Sequence, residues 1–223
     1  MTEKEQRIFS PMLEAAGRLA EKSGPAMIAI DGRCGSGKTR LAELIRKRFS
    51  CNVLHMDDFY LPPDERQENW ESVPGGNMDF ERLKRELLVP LKEGRPALYR
   101  PYSCAGGTMG ETVGLQPCLL TVVEGSYSMH PSMAAEYDLT VFLTCPKEEQ
   151  RKRLQRREGK RFAAFEERWI PMEERYFSCF GIEGRCSLVV DTGGIESGGA
   201  SGGTHAAPSA KASFQEAEGE VLF

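Results

Sequence analysis

The segment Gly32-Arg33-Cys34-Gly35-Ser36-Gly37-Lys38-Thr39 has the spacing G-x-x-x-x-G-K-[ST]. Such a loop suits a chain of phosphates. Gly32, Gly35 and Gly37 let the backbone bend and bring its N–H groups, with that of Ser36 among them, close to anionic oxygens. Lys38 then offers an ammonium to the β- and γ-phosphates, and Thr39 offers a hydroxyl to Mg²⁺. The ligand this pattern implies is a nucleoside triphosphate with its magnesium, ATP being the expected one.

Other residues could carry chemistry beside it. Asp57 ends the run Asn52–Met56, where a carboxylate could take a proton from an attacking hydroxyl and hold a Mg²⁺-bound water. Asp58 is the competing choice. Glu124 closes the apolar run Leu119–Val123 and reads as a second acid for the metal. The stretch Arg151–Arg161 is densely basic in an acidic chain. Arg153 and Arg156, three apart, share one helical face. With Arg161 from the far end they could close over the triphosphate and neutralise developing charge. A solvated helix face is the alternative reading. Tyr60, Trp70, Tyr99 and Tyr102 fall in loop or excursion segments, where aromatic faces could stack a planar acceptor. Glu71 beside Trp70 could bind sugar hydroxyls. Cys34, at the start of a helix within the loop, is expected to favour its thiolate and react readily.

These groups need elements to hold them. Ala26–Ile30 is a continuous apolar run, as in a buried parallel strand, and Leu41–Phe49 has amphipathic helical spacing. Strand, glycine loop and helix thus follow in the order that phosphate binding requires. Ser10-Pro11 reads as the start of a first helix. Further strands are expected at 52–56, 118–123, 139–143 and 187–190. Helices are expected at 79–91, 147–158 and 163–177, the last bent at Pro171. Two short strands should form an excursion over about 95–117, and the lid should span about 147–162. Alternating strands and helices predict an α/β three-layer sandwich on a mostly parallel sheet, occupying residues 1–192. Residues 193–223 are rich in Gly, Ser and Ala and are expected to be a flexible tail.

The chain has 223 residues, a formal net charge of -4 and 28% charged residues. That balance disfavours a general nucleic-acid surface. No apolar run reaches the roughly 20 residues of a membrane span, and the polar N-terminus lacks a signal peptide's apolar core. A cytoplasmic location is the expectation. With 7 Cys and 3 His and no C-x-x-C pair, a zinc site is not expected. Asp191-Thr192-Gly193-Gly194 matches D-x-x-G, but no N-K-x-D guanine-reading motif accompanies it. An oligomer is compatible with this pattern.

The order of motifs is similar to the uridine kinase family, which groups with phosphoribulokinase, pantothenate kinase and nicotinamide riboside kinase. The resemblance rests on Gly32–Thr39, Met56-Asp57-Asp58-Phe59-Tyr60, Asn69-Trp70, Val123-Glu124-Gly125 and the Arg153/Arg156 segment, over roughly 26 to 191. It implies a P-loop fold and ATP-dependent phosphorylation of a primary hydroxyl, such as a nucleoside 5′-OH. It implies Asp57 as the acceptor-activating acid, Tyr60 near the acceptor, Glu124 supporting Mg²⁺ and an arginine lid. The chain departs from the pyrimidine-reading pattern in two places. The excursion segment Tyr99–Gly107 has no His, and Asn69–Gly76 differs from the usual Asp-His-Pro-type run. Nicotinamide riboside, pantothenate and other alcohols therefore stand beside nucleosides as acceptors, and a nucleotide-binding scaffold without catalysis is the other alternative.

Overall fold

The computed structural model describes residues 1–104 and 106–195. In chain order its elements are α1 (Glu3–Ala20), β1 (Ala26–Gly32), α2 (Lys38–Arg48), β2 (Cys51–His55), α3 (Phe80–Leu83), α4 (Val89–Lys92), β3 (Ala97–Tyr99), β4 (Tyr102–Ser103), β5 (Thr108–Met109), β6 (Val113–Leu115), β7 (Leu120–Glu124), β8 (Leu139–Thr144), α5 (Lys147–Glu158), α6 (Phe162–Ala164), α7 (Ile170–Phe180) and β9 (Leu188–Asp191). Five strands make one sheet in the order β2-β7-β1-β8-β9. Every pairing in it is parallel.

The sheet's two faces carry separate cores because side chains alternate along a strand. Ile28 and Ile30 of β1 and Val122 of β7 face α1 and α2, packing with Phe9, Met12, Leu41 and Ile45. Met27 and Ala29 of β1 face the other way with Val123 and Phe142, against Leu83, Leu87, Tyr176 and Phe177. Strand β1 is buried along its whole length. That explains its unbroken apolar run: a parallel strand between two helical layers has no wet face.

Several expectations change in detail. Helix α1 starts at Glu3, not at Ser10, because Thr2 and Glu5 form a reciprocal capping box that satisfies the first amides. Pro11 lies inside this helix on an exposed position. The helices predicted at 79–91 and 163–177 each contain a widened π turn, at Lys84–Leu88 and Phe165–Trp169. Each π turn runs into a proline, Pro90 or Pro171, at the start of the next α segment. A proline lacks its N–H and crowds the preceding turn, and a widened turn relieves that crowding. The excursion holds four short strands instead of two. Strands β3 and β6 pair antiparallel, and β4 and β5 form a second pair beyond them. Of the expected tail, Gly193–Ile195 is anchored to the body: Glu149 accepts the Gly194 N–H, and Thr192 just before it donates its hydroxyl to Ser36 O at 2.8 Å. The rest of it, 196–223, lies outside the described residues. Among the described residues, no helix is long and apolar enough to cross a membrane.

Candidate functional site

The parallel register sets the ends of β2 and β7 level, with β1 running two residues further to Gly32. Glu124 of β7 lies opposite Ile30 of β1 on one side and His55 of β2 on the other. The loops that leave these strands therefore start side by side at the carboxyl edge of the sheet, where open α/β sheets place ligands. The glycine loop is one of them. Gly32 has φ +133, and a Cβ there would fall 2.0 Å from Leu143 O, so only glycine fits between β1 and β8. Gly37 is the N-cap of α2 in the left-handed region, with no side-chain cap and no acidic residue in the first turn. The amides of that turn lack the side-chain oxygen that usually satisfies a helix start, which suits an anion.

Lys38 Nζ donates to Gly32 O at 2.7 Å and Arg33 O at 3.2 Å, and reaches Ser126 Oγ at 3.4 Å. Thr39 Oγ1 donates to Glu124 Oε1 at 3.0 Å, and His55 Nδ1 lies 2.7 Å from the same oxygen. Burial disfavours the Glu124 carboxylate. The His55 contact, then the Lys38 charge and the Thr39 hydroxyl, outweigh burial and hold its pKa below the usual value. Burial also opposes the His55 imidazolium, but Glu124 first, then Asp58 and Asp57, keep its pKa above the ordinary one.

Asp57 and Asp58 sit on a 3-10 turn at Met56–Phe59 that directly continues β2. The structure distinguishes them. Asp57 is exposed and Asp58 half-buried. Asp58 Oδ2 accepts the Tyr99 hydroxyl at 3.1 Å. Its backbone carbonyl accepts Arg82 Nη2 at 2.9 Å, while Arg82 Nη1 reaches Arg100 O at 2.8 Å. Arg82, buried and 4.4 Å over the Phe59 ring, thus joins this turn to the excursion.

The predicted acceptor residues do not all come together. Tyr60 follows the aspartate turn and bridges to Met78. Burial, then the charge of Asp57, keeps its phenol protonated well above the ordinary range. Tyr99 stacks on Phe59 at 5.6 Å. Tyr102 is buried, so its ring faces are covered by protein. Trp70 packs 6.3 Å from Trp169, with Arg66 and Arg168 at 4.9 and 4.8 Å from its ring. Glu71 pairs with Arg168, and its carbonyl accepts Arg175 at 2.7 Å. Trp70 and Glu71 thus bind the chain to the segment after α6 instead of offering a stacking face and an uncommitted carboxylate.

The basic segment is also revised. Helix α5 packs directly on the loop: a Cβ on Gly35 would meet Leu154 at 3.4 Å, and Gln150 donates to Cys34 O at 3.0 Å. Arg153 is committed to protein acceptors, namely Gly35 O, Thr192, Ile195 O and Glu149. Arg156 is exposed, and Arg161 pairs with Glu158 at 3.1 Å. Cys34 runs against expectation. Burial, and then the charge of Glu173, pushes its thiol far above the ordinary range, overriding the helix start.

Sequence reasoning missed three carboxylates. Asp31 ends the apolar part of β1, fully buried, and accepts Gly32 N at 2.7 Å, Met129 N at 2.9 Å and Tyr176 OH at 2.7 Å. An acid abutting a buried strand was a readable signal. Glu173 of α7 accepts the Cys34 N–H at 3.0 Å and the Ser126 hydroxyl. Its neighbour Glu174 holds the Arg33 guanidinium through both oxygens, at 2.6 and 3.1 Å. Nothing local marks these two glutamates in the sequence.

The glycine cradle, the bare α2 start and the Lys38 ammonium fit a triphosphate. The Thr39 hydroxyl and Glu124 carboxylate fit a magnesium that also takes phosphate oxygens and water. Among the described residues no group of three or more His, Cys, Asp or Glu could hold a metal.

Neither a family model nor a curated protein matches the sequence. Solved structures do match in fold. A protein described as a possible uridine kinase from Bacillus stearothermophilus is 22% identical, with 82% of this chain and 97% of that one covered and a TM-score of 0.65. A putative fructose transport system kinase from Silicibacter sp. TM1040 is 19% identical over 81% and 98% of the two chains, with a TM-score of 0.64. With its glycine loop at the carboxyl edge of a five-stranded parallel sheet, the chain has the α/β fold of the P-loop kinases.

Proposed function

We propose that this protein is a small-molecule kinase that transfers the γ-phosphoryl group of ATP to a hydroxyl, with a nucleoside as the first candidate acceptor. The observation that carries the reading is the Thr39–Glu124 contact of 3.0 Å, in line with the aspartate turn that continues the neighbouring strand. A hydroxyl and an acid that would share a magnesium thus stand next to a turn carrying two further acids able to face an acceptor.

Magnesium-bound ATP would supply the phosphoryl group and a divalent charge. The amides of Gly32–Thr39 and the Lys38 ammonium would hold the phosphates. Asp57, the exposed member of its pair, would accept the proton of the attacking hydroxyl as the new O–P bond forms. Asp58, bound to Tyr99, would fix that turn instead. Arg156 and Arg161, with Lys38, are the cations offered to the transferring group. Arg153 would hold Gly35 in place from behind. Tyr60 and Tyr99 would border the acceptor.

The test is ADP release with Mg·ATP across nucleosides, nicotinamide riboside, pantothenate and simple sugars. Asp57→Asn should abolish turnover while leaving ATP affinity near that of the parent. Substantial product from Asp57→Asn would overturn the assigned base. ATP uptake without product on any acceptor would favour the scaffold alternative.

A further inference from the structure

We infer that Glu173 is a positioning residue for phosphoryl transfer, orienting both the phosphate loop and Lys38 from a helix far away in sequence; the inference rests on the kinase reading above. Glu173 lies on α7 and is 7% exposed. Its Oε2 accepts the Cys34 N–H at 3.0 Å, inside the glycine loop. Its Oε1 accepts the Ser126 hydroxyl, two residues beyond Glu124.

A serine hydroxyl has one proton and two lone pairs. Ser126 could give its proton to Glu173 or to Gly32 O, which is 3.5 Å away. The charged and closer carboxylate takes it. The lone pairs are then left for a donor, and Lys38 Nζ lies 3.4 Å from this oxygen. One carboxylate thus sets a chain running from Lys38 to Ser126 to Glu173, and pins the loop backbone at Cys34 with its other oxygen.

Its neighbours on α7 keep the carboxylate from swinging away. Glu174 clamps Arg33, and the Tyr176 hydroxyl donates to Asp31. The Phe177 ring lies 5.7 Å from the Arg33 guanidinium. Among the described residues no Lys, Arg or His nitrogen forms an ion pair with Glu173. A buried carboxylate without its own cation is costly, and packing alone would be better served by an apolar residue. Orienting the lysine's hydrogen-bond partner gives that charge a purpose.

The variants separate the two contacts. Glu173→Ala removes both. Glu173→Gln keeps an acceptor oxygen for the Cys34 N–H, but its amide can only donate to Ser126, which turns the hydroxyl proton toward Gly32 O and takes one of the two lone pairs open to Lys38, loosening the chain that orients its ammonium. Steady-state kinetics on the most active acceptor, calorimetry of ATP binding and thermal melting are the readouts. Glu173→Ala should weaken ATP binding and lower kcat, each by about tenfold or more, while the acceptor KM stays within about twofold. Glu173→Gln should bind ATP within about threefold of the parent and still lose about tenfold in kcat. Because Ser126 lies on the same chain, adding Ser126→Ala to Glu173→Gln should lower kcat little further.

Parent-like kcat in folded Glu173→Gln, or losses that multiply in the double variant, would overturn the inference with the kinase reading intact. Equal falls in kcat, ATP affinity and melting temperature across both Glu173 variants would mean a structural role only and would also overturn it. A parent protein that releases no ADP with any acceptor fails at the earlier step and takes the inference with it. If Glu173→Ala does not fold, Glu173→Gln and Ser126→Ala decide the question alone.

Discussion

Asp31 should give the fold a stability that declines as pH rises through the mildly acidic range. Its carboxyl is 0% exposed, and burial, opposed by the hydrogen bonds from Met129, Tyr176 and Gly32, raises its pKa from 3.8 to about 6. A raised pKa means the folded chain holds this proton more tightly than the unfolded one. The stabilisation is full below the unfolded value and is lost as pH climbs through the folded one. A shift of about two units corresponds to about 3 kcal/mol at most, of which about 2 kcal/mol falls between about pH 4.5 and pH 7. Tyr176 can turn its hydroxyl from donor to acceptor and so give the protonated acid a partner. Asp31→Asn removes the titration but leaves the other ionisable groups. Urea unfolding of the parent and Asp31→Asn at both pH values isolates the effect. The parent's advantage over Asp31→Asn should be about 2 kcal/mol larger at the lower pH. An advantage that is constant, or larger at pH 7, would show that the three hydrogen bonds outweigh burial and that the reasoning is wrong.

Other outcomes follow from the same geometry. Gly32→Ala should not yield a folded protein, since its Cβ would sit 2.0 Å from the Leu143 carbonyl oxygen; a soluble variant melting like the parent would contradict this. Alkylation of the native protein followed by peptide mass spectrometry should label the exposed Cys104 and Cys179 well before the buried Cys34. Trp70→Ala should cost about 1–3 kcal/mol in urea unfolding through lost aromatic and cation–π packing, with the acceptor KM unchanged. A selective rise in acceptor KM would instead return Trp70 to the acceptor site. Lys38→Ala should abolish turnover, measured as ADP release, while far-UV circular dichroism stays native.

The phosphate loop, its flanking strand and helix, and the acids at 57 and 124 were legible because each is a local pattern. An apolar run, a glycine spacing or a charge at a strand end reflects what the backbone needs within a few residues. The two π turns were not legible, because periodicity reports the face of a helix and not the width of one turn. The excursion's second pair of strands was too short to carry an alternation.

Cys34, Trp70, Glu71 and Arg153 take partners that differ from their sequence expectations for one reason. Each was given a role from its own type and neighbours, and each is decided by a partner distant in the chain. Burial and the nearby charge of Glu173 act on the thiol of Cys34, Trp169 and Arg168 contact Trp70 and Glu71, and Thr192 holds Arg153. The sequence by itself determined that a glycine loop with phosphate-binding spacing and two strand-end acids exist here. Only the packing of α7 against β1 decided which carboxylates touch that cradle. Burial and pairing are properties of surfaces meeting in space, and no spacing along the chain encodes them.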